Sequence, residues 1–290
     1  MAEPIRVTAL RGKTVESAHR VHAVAVREGG VVASAGDAAL VTFMRSAAKP
    51  IQALPLARER TDVDERDLAI ASASHLADEA QLAAVQALLD KAPATEDDLE
   101  CGPFEGSKLK HNCSGKHAGM LALCRAKGWP LEGYRLADHP CQQTMLGEVA
   151  QIADAHDIPT AIDGCGVVTF ALPLERMAFA FSRFEEILGG EQVASAMRTH
   201  PELIRGPKAL DTMLMKTHHG WIAKGGAEGL LCAASADGLG LALKVEDGAH
   251  RALEPALGVF LDTLDLDGSA FPAVPVRNSR DEVVGQLEAC

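Results

Sequence analysis

Turn signals near both ends of the chain constrain its fold more than any other feature of the sequence. Glu28-Gly29-Gly30 and Ala35-Gly36-Asp37 separate short apolar runs over 21–27, 31–35 and 40–43, and a further run spans 5–9. Ala236-Asp237-Gly238 separates runs over 229–235 and 239–246. Gly-Gly and Asp-Gly steps between such runs are hairpin connections, because the tight turns that match strand twist need positive φ. The intervening chain changes period. Segments 51–58, 79–89, 117–127, 142–156, 174–184 and 191–199 carry helix-compatible apolar spacing, with Gly128, Pro140 and Pro173 as boundary residues. A final helix is expected over 252–264 and a short strand over 283–287. Strands at both termini around a helical middle predict an α+β fold, with one antiparallel sheet assembled from both ends. A single domain over 1–290 follows, its sheet drawn from about 1–44 and 228–290 and its helical part from about 45–227.

Composition narrows the function classes. The 28 Lys and Arg against 40 Asp and Glu leave a net charge of −12, which excludes a phosphate-tracking surface and hence nucleic acid as a partner. No stretch approaches membrane-spanning length and the first twenty residues lack an apolar signal core, so neither a membrane nor export is expected. Seven scattered cysteines do not form a disulfide framework, which points to a reducing cytoplasm. Those cysteines are then buried apolar groups, metal ligands or nucleophiles.

Ser46-Ala47-Ala48-Lys49 places a serine hydroxyl three residues from a lysine amine. A serine needs a neighbouring base to become a nucleophile, and a Ser-Lys pair is one solution. Chance supplies on the order of one Ser-x-x-Lys in such a chain, so the motif needs company. Pro50 disfavours an α conformation at Lys49, so the pair is expected at a turn entering a helix. The segment His111-Asn112-Cys113-Ser114-Gly115-Lys116-His117 gathers five side chains able to ligate or transfer protons, a density that packing rarely demands. Cys113 and His117, four apart, could share a helical face with zinc spacing, and Lys116 could ligate only as a neutral amine. Asp163-Gly164-Cys165-Gly166 puts a second cysteine in a tight turn, with Asp163 able to meet a substrate ammonium. Ser74, before His75, offers a second hydroxyl, and Lys224-Gly225-Gly226 a second lysine on the turn into the terminal hairpin. The blander alternatives are a helix-capping segment at 72–78 and a solvent-exposed Lys224.

These segments occur in one order: MRSAAKP at 44–50, ASH at 73–75, HNCSGKHAGM at 111–120, DGCG at 163–166, KGGAEG at 224–229 and LALKVEDG at 241–248. Together they resemble the asparaginase II family of Rhizobium type, over most of the chain. The resemblance implies a fold like that of serine β-lactamases and glutaminases. It implies hydrolysis of L-asparagine to L-aspartate and ammonia through two pairs, Ser46 with Lys49 and Ser74 with Lys224. It further implies a zinc site of Cys113, Lys116 and Cys165, substrate contacts from Arg45 and Asp163 with His117 as a neighbour, and a homodimer. The family commonly continues the second serine as Ser-His-Ser-Gly-Glu, where this chain reads Ser74-His75-Leu76-Ala77-Asp78, and it commonly has proline where Val168 stands. The rival readings are a glutaminase or β-lactamase-like serine hydrolase, a zinc-hydroxide hydrolase, and a non-catalytic zinc or redox protein using Cys113 and Cys165.

Overall fold

The computed structural model describes residues 2–289. Its strands are β1 (Ile5–Arg11), β2 (Thr14–Arg27), β3 (Gly30–Ala35), β4 (Val41–Phe43), β5 (Thr160–Ile162), β6 (Val168–Pro173), β7 (Trp221–Gly226), β8 (Leu230–Ser235), β9 (Gly240–Val245), β10 (Val274–Arg277) and β11 (Val283–Ala289). Its helices are α1 (Lys49–Glu59), α2 (Glu65–Ala71), α3 (Glu79–Lys91), α4 (Ser114–Lys127), α5 (Pro140–Ala153), α6 (Leu174–Ser182), α7 (Gly190–Thr199), α8 (Pro201–Ile204), α9 (Leu210–Thr217) and α10 (Leu253–Asp262).

The main sheet runs β10-β11-β1-β2-β9-β8-β7, with β3 also paired to β2, and every pairing is antiparallel. Both termini contribute, so β2 from the start of the chain lies against β9 from near its end. Helix α6 packs on β2, β8 and β9, whereas α10 packs on β1, β2, β9 and β11. Covered strands read as continuous apolar runs rather than alternating ones. Every residue of β7 and β9 is accordingly buried. Helices α1 to α5 and α7 form the helical layer.

Two expectations need correction. The strand at 40–43 leaves the main sheet: β4 pairs with β6, which pairs with β5, in a small sheet of its own. The main sheet also begins before 228, because β7 forms its edge beside β8 and carries Lys224 within a strand rather than on an exposed turn. Gly225 and Gly226 weaken any strand signal in the sequence. Gly226 is there because the chain comes close: a Cβ added to it would lie 2.7 Å from the Met44 carbonyl oxygen. The absent side chain lets β7 rest on the turn that carries Ser46. The likeness to the serine β-lactamase fold stays an expectation; the architecture described is a mixed α/β one with an antiparallel sheet.

Candidate active site

Ser46 lies in a short 3-10 turn, Arg45–Ala48, that runs straight into α1. Lys49 takes helical dihedrals (φ −59°, ψ −40°) despite the following proline. Pro50 stands in the first turn of α1, where its missing N–H would have had no helical partner in any case. Arg45, immediately before the serine, is held at φ 49°. A left-handed non-glycine residue is strained and persists only where its surroundings hold it. Here Arg45 N donates to Thr169 Oγ1 at 3.2 Å, and its Nε donates to Asp163 Oδ1 at 2.6 Å. The Ser46 hydroxyl is half-buried and has no hydrogen bond to another described residue.

Lys49 is fully buried, yet its Nζ reaches Ala73 O at 2.5 Å and Ser74 Oγ at 2.9 Å. The family resemblance implied the pairs Ser46 with Lys49 and Ser74 with Lys224; the hydrogen bond present joins Lys49 to Ser74. The reason is local. Ala73 follows the end of α2, where a carbonyl without a helical partner can take a buried ammonium. Lys224, also fully buried, donates to Gly225 O at 2.7 Å and lies 3.7 Å from Asp211 Oδ2. Burial lowers the pKa of Lys49, and the nearby Lys116 charge lowers it further. Burial also brings Lys224 down to about 7, against the pull of Asp211.

Ser74 is fixed by its frame. Its N–H donates to Ile204 O at 2.7 Å, and the next N–H, of His75, donates to Asn112 O at 3.2 Å. Ser114 Oγ gives its proton to Leu109 O, so His75 Nε2 donates to that hydroxyl at 2.8 Å, while His75 Nδ1 accepts from Ala77 N. His75 is thus a neutral connector, and burial takes its pKa down to about 4. The expected departure at this turn is accommodated: Ala77, where the family commonly has glycine, takes φ 61°. Leu76 beside it is exposed.

Helix α4 starts at Ser114, three residues earlier than its apolar period suggests, with Cys113 as its cap. It can lie close to α2 because a Cβ at Gly115 would sit only 2.2 Å from Ile70 O. The same approach carries Cys113 and Lys116 to the serines. Asp163 and Cys165 come from the hairpin tip between β5 and β6, closed by Asp163 N to Val167 O and Gly166 N to Asp163 O. Lys116 Nζ donates to Cys165 Sγ at 3.0 Å. The adjoining Cys113 thiol, helped by the Lys116 charge, takes Cys165 down to about 4 although burial opposes it. Burial would discharge Lys116, but the Cys165 and Cys113 sulfurs outweigh it and raise its pKa. His117 turns away, with Nδ1 against the Tyr134 hydroxyl at 2.5 Å, and its buried Nε2 has no partner. It is therefore not placed with the two sulfurs as a ligand by any contact here.

Among the described residues, no three His, Cys, Asp or Glu side chains gather at a metal-sized point. The donor set of Cys113, Lys116 and Cys165 nevertheless fits zinc in kind, two sulfurs and one nitrogen, leaving an open position. Lys116 would have to give up the proton it now shares with Cys165. Sequence reading missed Tyr134, Ile204 and Asp211, which hold the site rather than form it. Their contacts are made by backbone groups or across long sequence separations, and no spacing announces them.

The chain matches the family model of L-asparaginase II over residues 7–289. It belongs to the L-asparaginase II family. No curated protein matches it significantly. Among solved structures it is similar to one described as "Crystal Structure Analysis of Mglu in its native form", at 14% identity and a TM-score of 0.38. That match covers 86% of this chain and 65% of the other. Among the described residues, no helix is long and apolar enough to cross a membrane.

Proposed function

We propose that the chain is an amidohydrolase that converts L-asparagine to L-aspartate and ammonia by serine acyl transfer. The family match supports the substrate class, and the buried Lys49–Ser74 contact, made by a lysine three residues after Ser46, is the observation that carries the chemistry. Ser46 is the nucleophile in this reading. Its hydroxyl is unengaged, it is open enough to meet a substrate, and it follows a strained residue at the mouth of the site. Lys49, in its neutral form, takes the proton, with Ser74 as the relay its hydrogen bond makes available. The Ser46 Oγ–carbon bond forms, the amide C–N bond breaks, and ammonia leaves with the proton. Water then cleaves the ester to release aspartate. Arg45 and Asp163 supply opposite charges for the α-carboxylate and α-ammonium of the substrate. A zinc ion bound by Cys113, Lys116 and Cys165 would supply a fixed positive charge beside them.

A second reading makes Ser74 the nucleophile, favoured by its 2.9 Å contact with Lys49. Ammonia release from L-asparagine, with intact-mass detection of the acyl-enzyme, separates the two. Ser46→Ala is expected to lose both the adduct and about 10²–10⁴ of the rate. A covalent adduct that survives Ser46→Ala and disappears with Ser74→Ala transfers the role to Ser74. Turnover of L-glutamine in place of L-asparagine would move the substrate assignment.

A further inference from the structure

A cavity of about 180 Å³ lies behind β7, lined by Arg205, Leu210, Asp211, Leu231, His250 and Leu253, with Gly225 at its wall. Its Gly225 and Leu231 wall belongs to the face of β7 and β8 opposite the one that carries the Lys224 side chain. Lys224 pairs with Cys232 and Gly225 with Leu231, and successive strand residues face opposite ways. Asp211 is only 2% exposed. Its Oδ2 accepts from Gly225 N at 3.1 Å and lies 3.7 Å from Lys224 Nζ, while Oδ1 has no hydrogen bond to a described residue. Arg205 lines the same small cavity, yet it forms no ion pair with Asp211 or with any other described carboxylate. Burial, reinforced by the Arg205 charge, lowers the pKa of His250 and favours the neutral ring.

Two opposite charges facing one cavity without meeting are the complement of a zwitterion. A planar guanidinium matches a carboxylate, and a buried carboxylate oxygen without a donor matches an ammonium. The three leucines offer an apolar wall for a short side chain, and the volume falls below that of a drug-sized pocket. We propose that this cavity is a second site, separate from the catalytic one, that binds a small aliphatic α-amino acid: carboxylate on Arg205, ammonium on Asp211, side chain on the leucines. Because Asp211 also faces Lys224, occupancy there changes the charge that Lys224 feels.

L-valine, which carries no amide to hydrolyse, is the probe, and calorimetry on the full chain the readout. One saturable site is expected. Isobutyrate lacks the ammonium and isobutylamine the carboxylate, and each should bind about tenfold or more weakly. Arg205→Gln, and independently Leu253→Phe, which fills the cavity, should weaken L-valine by a similar factor. Arg45→Gln should leave it unchanged. The proposal is overturned if folded Arg205→Gln and Leu253→Phe proteins bind L-valine as the parent does, if Arg45→Gln removes the binding, or if L-valine does not bind. All of these readouts are heats of binding, so they stand apart from whether asparagine is hydrolysed.

Discussion

Burial leaves the Lys49 ammonium with a carbonyl and a hydroxyl and no carboxylate within ion-pairing range among the described residues. A cation in that setting is easily discharged, which is the property a base needs near neutral pH. The geometry around it depends on single residues that break ordinary rules. Arg45 and Ala77 both hold left-handed backbone on either side of the site. Ala77 pins nothing by its methyl group; its N–H to His75 Nδ1 is what matters. Replacing Ala77 with glycine removes the Cβ clash of the left-handed conformation, roughly 1–2 kcal/mol, and returns roughly 0.5–1 kcal/mol to unfolded-chain entropy. Ala77→Gly should therefore raise the unfolding free energy by about 0.5–1 kcal/mol, read from urea midpoints at unchanged slope. A lower midpoint would mean that the turn does not carry this strain.

At the scale of elements, the site is an intersection: a 3-10 turn, the end of α2, the start of α4, one hairpin tip and an edge strand. The hairpins that build the main sheet were legible because Gly29-Gly30 and Asp237-Gly238 have a turn chemistry with few other uses. The start of β7 was not, since Lys224-Gly225-Gly226 is poor strand sequence kept for close approach. Helix α2 escaped too: it is seven residues long and owes its start to an Asp64–Asp67 capping box rather than to a long apolar period. Residues with unusual chemistry, such as Cys113, Lys116 and Cys165, stood out in the sequence. Which lysine meets which serine did not, because the Ala73 carbonyl decides it. The α2–α4 approach can be tested at Gly115. A Cβ there meets backbone, which cannot rotate aside, so Gly115→Ala should cost about 1–3 kcal/mol by overpacking. It should also lower ammonia release, because Cys113 and Lys116 move with α4. Unchanged stability and rate in the variant would show that the helices have room to separate.

Across the whole molecule the buried lysines Lys49 and Lys224 couple folding to pH. Lys224 has a folded pKa of about 7 against an ordinary value of 10.5, set by its burial. Between those values the unfolded chain holds a proton that the folded chain has released, so stability increases as pH rises through that window. Below about 7 both states are protonated and the folded state carries an ammonium it solvates poorly. Cys165, taken down to about 4 from 9.0, acts with the same sign between those values, whereas Cys101, pushed up by burial to about 12, reverses it above 9. Urea unfolding free energies should accordingly climb from pH 6 towards a maximum near pH 9. One proton of linkage corresponds to a slope of about 1.4 kcal/mol per pH unit. Lys224→Met removes that proton from both states without shortening the side chain much. Its stability should therefore rise less steeply between pH 7.5 and 9.5, by up to that one-proton slope. Parallel curves for the two proteins across this range would place the Lys224 pKa back at its ordinary value.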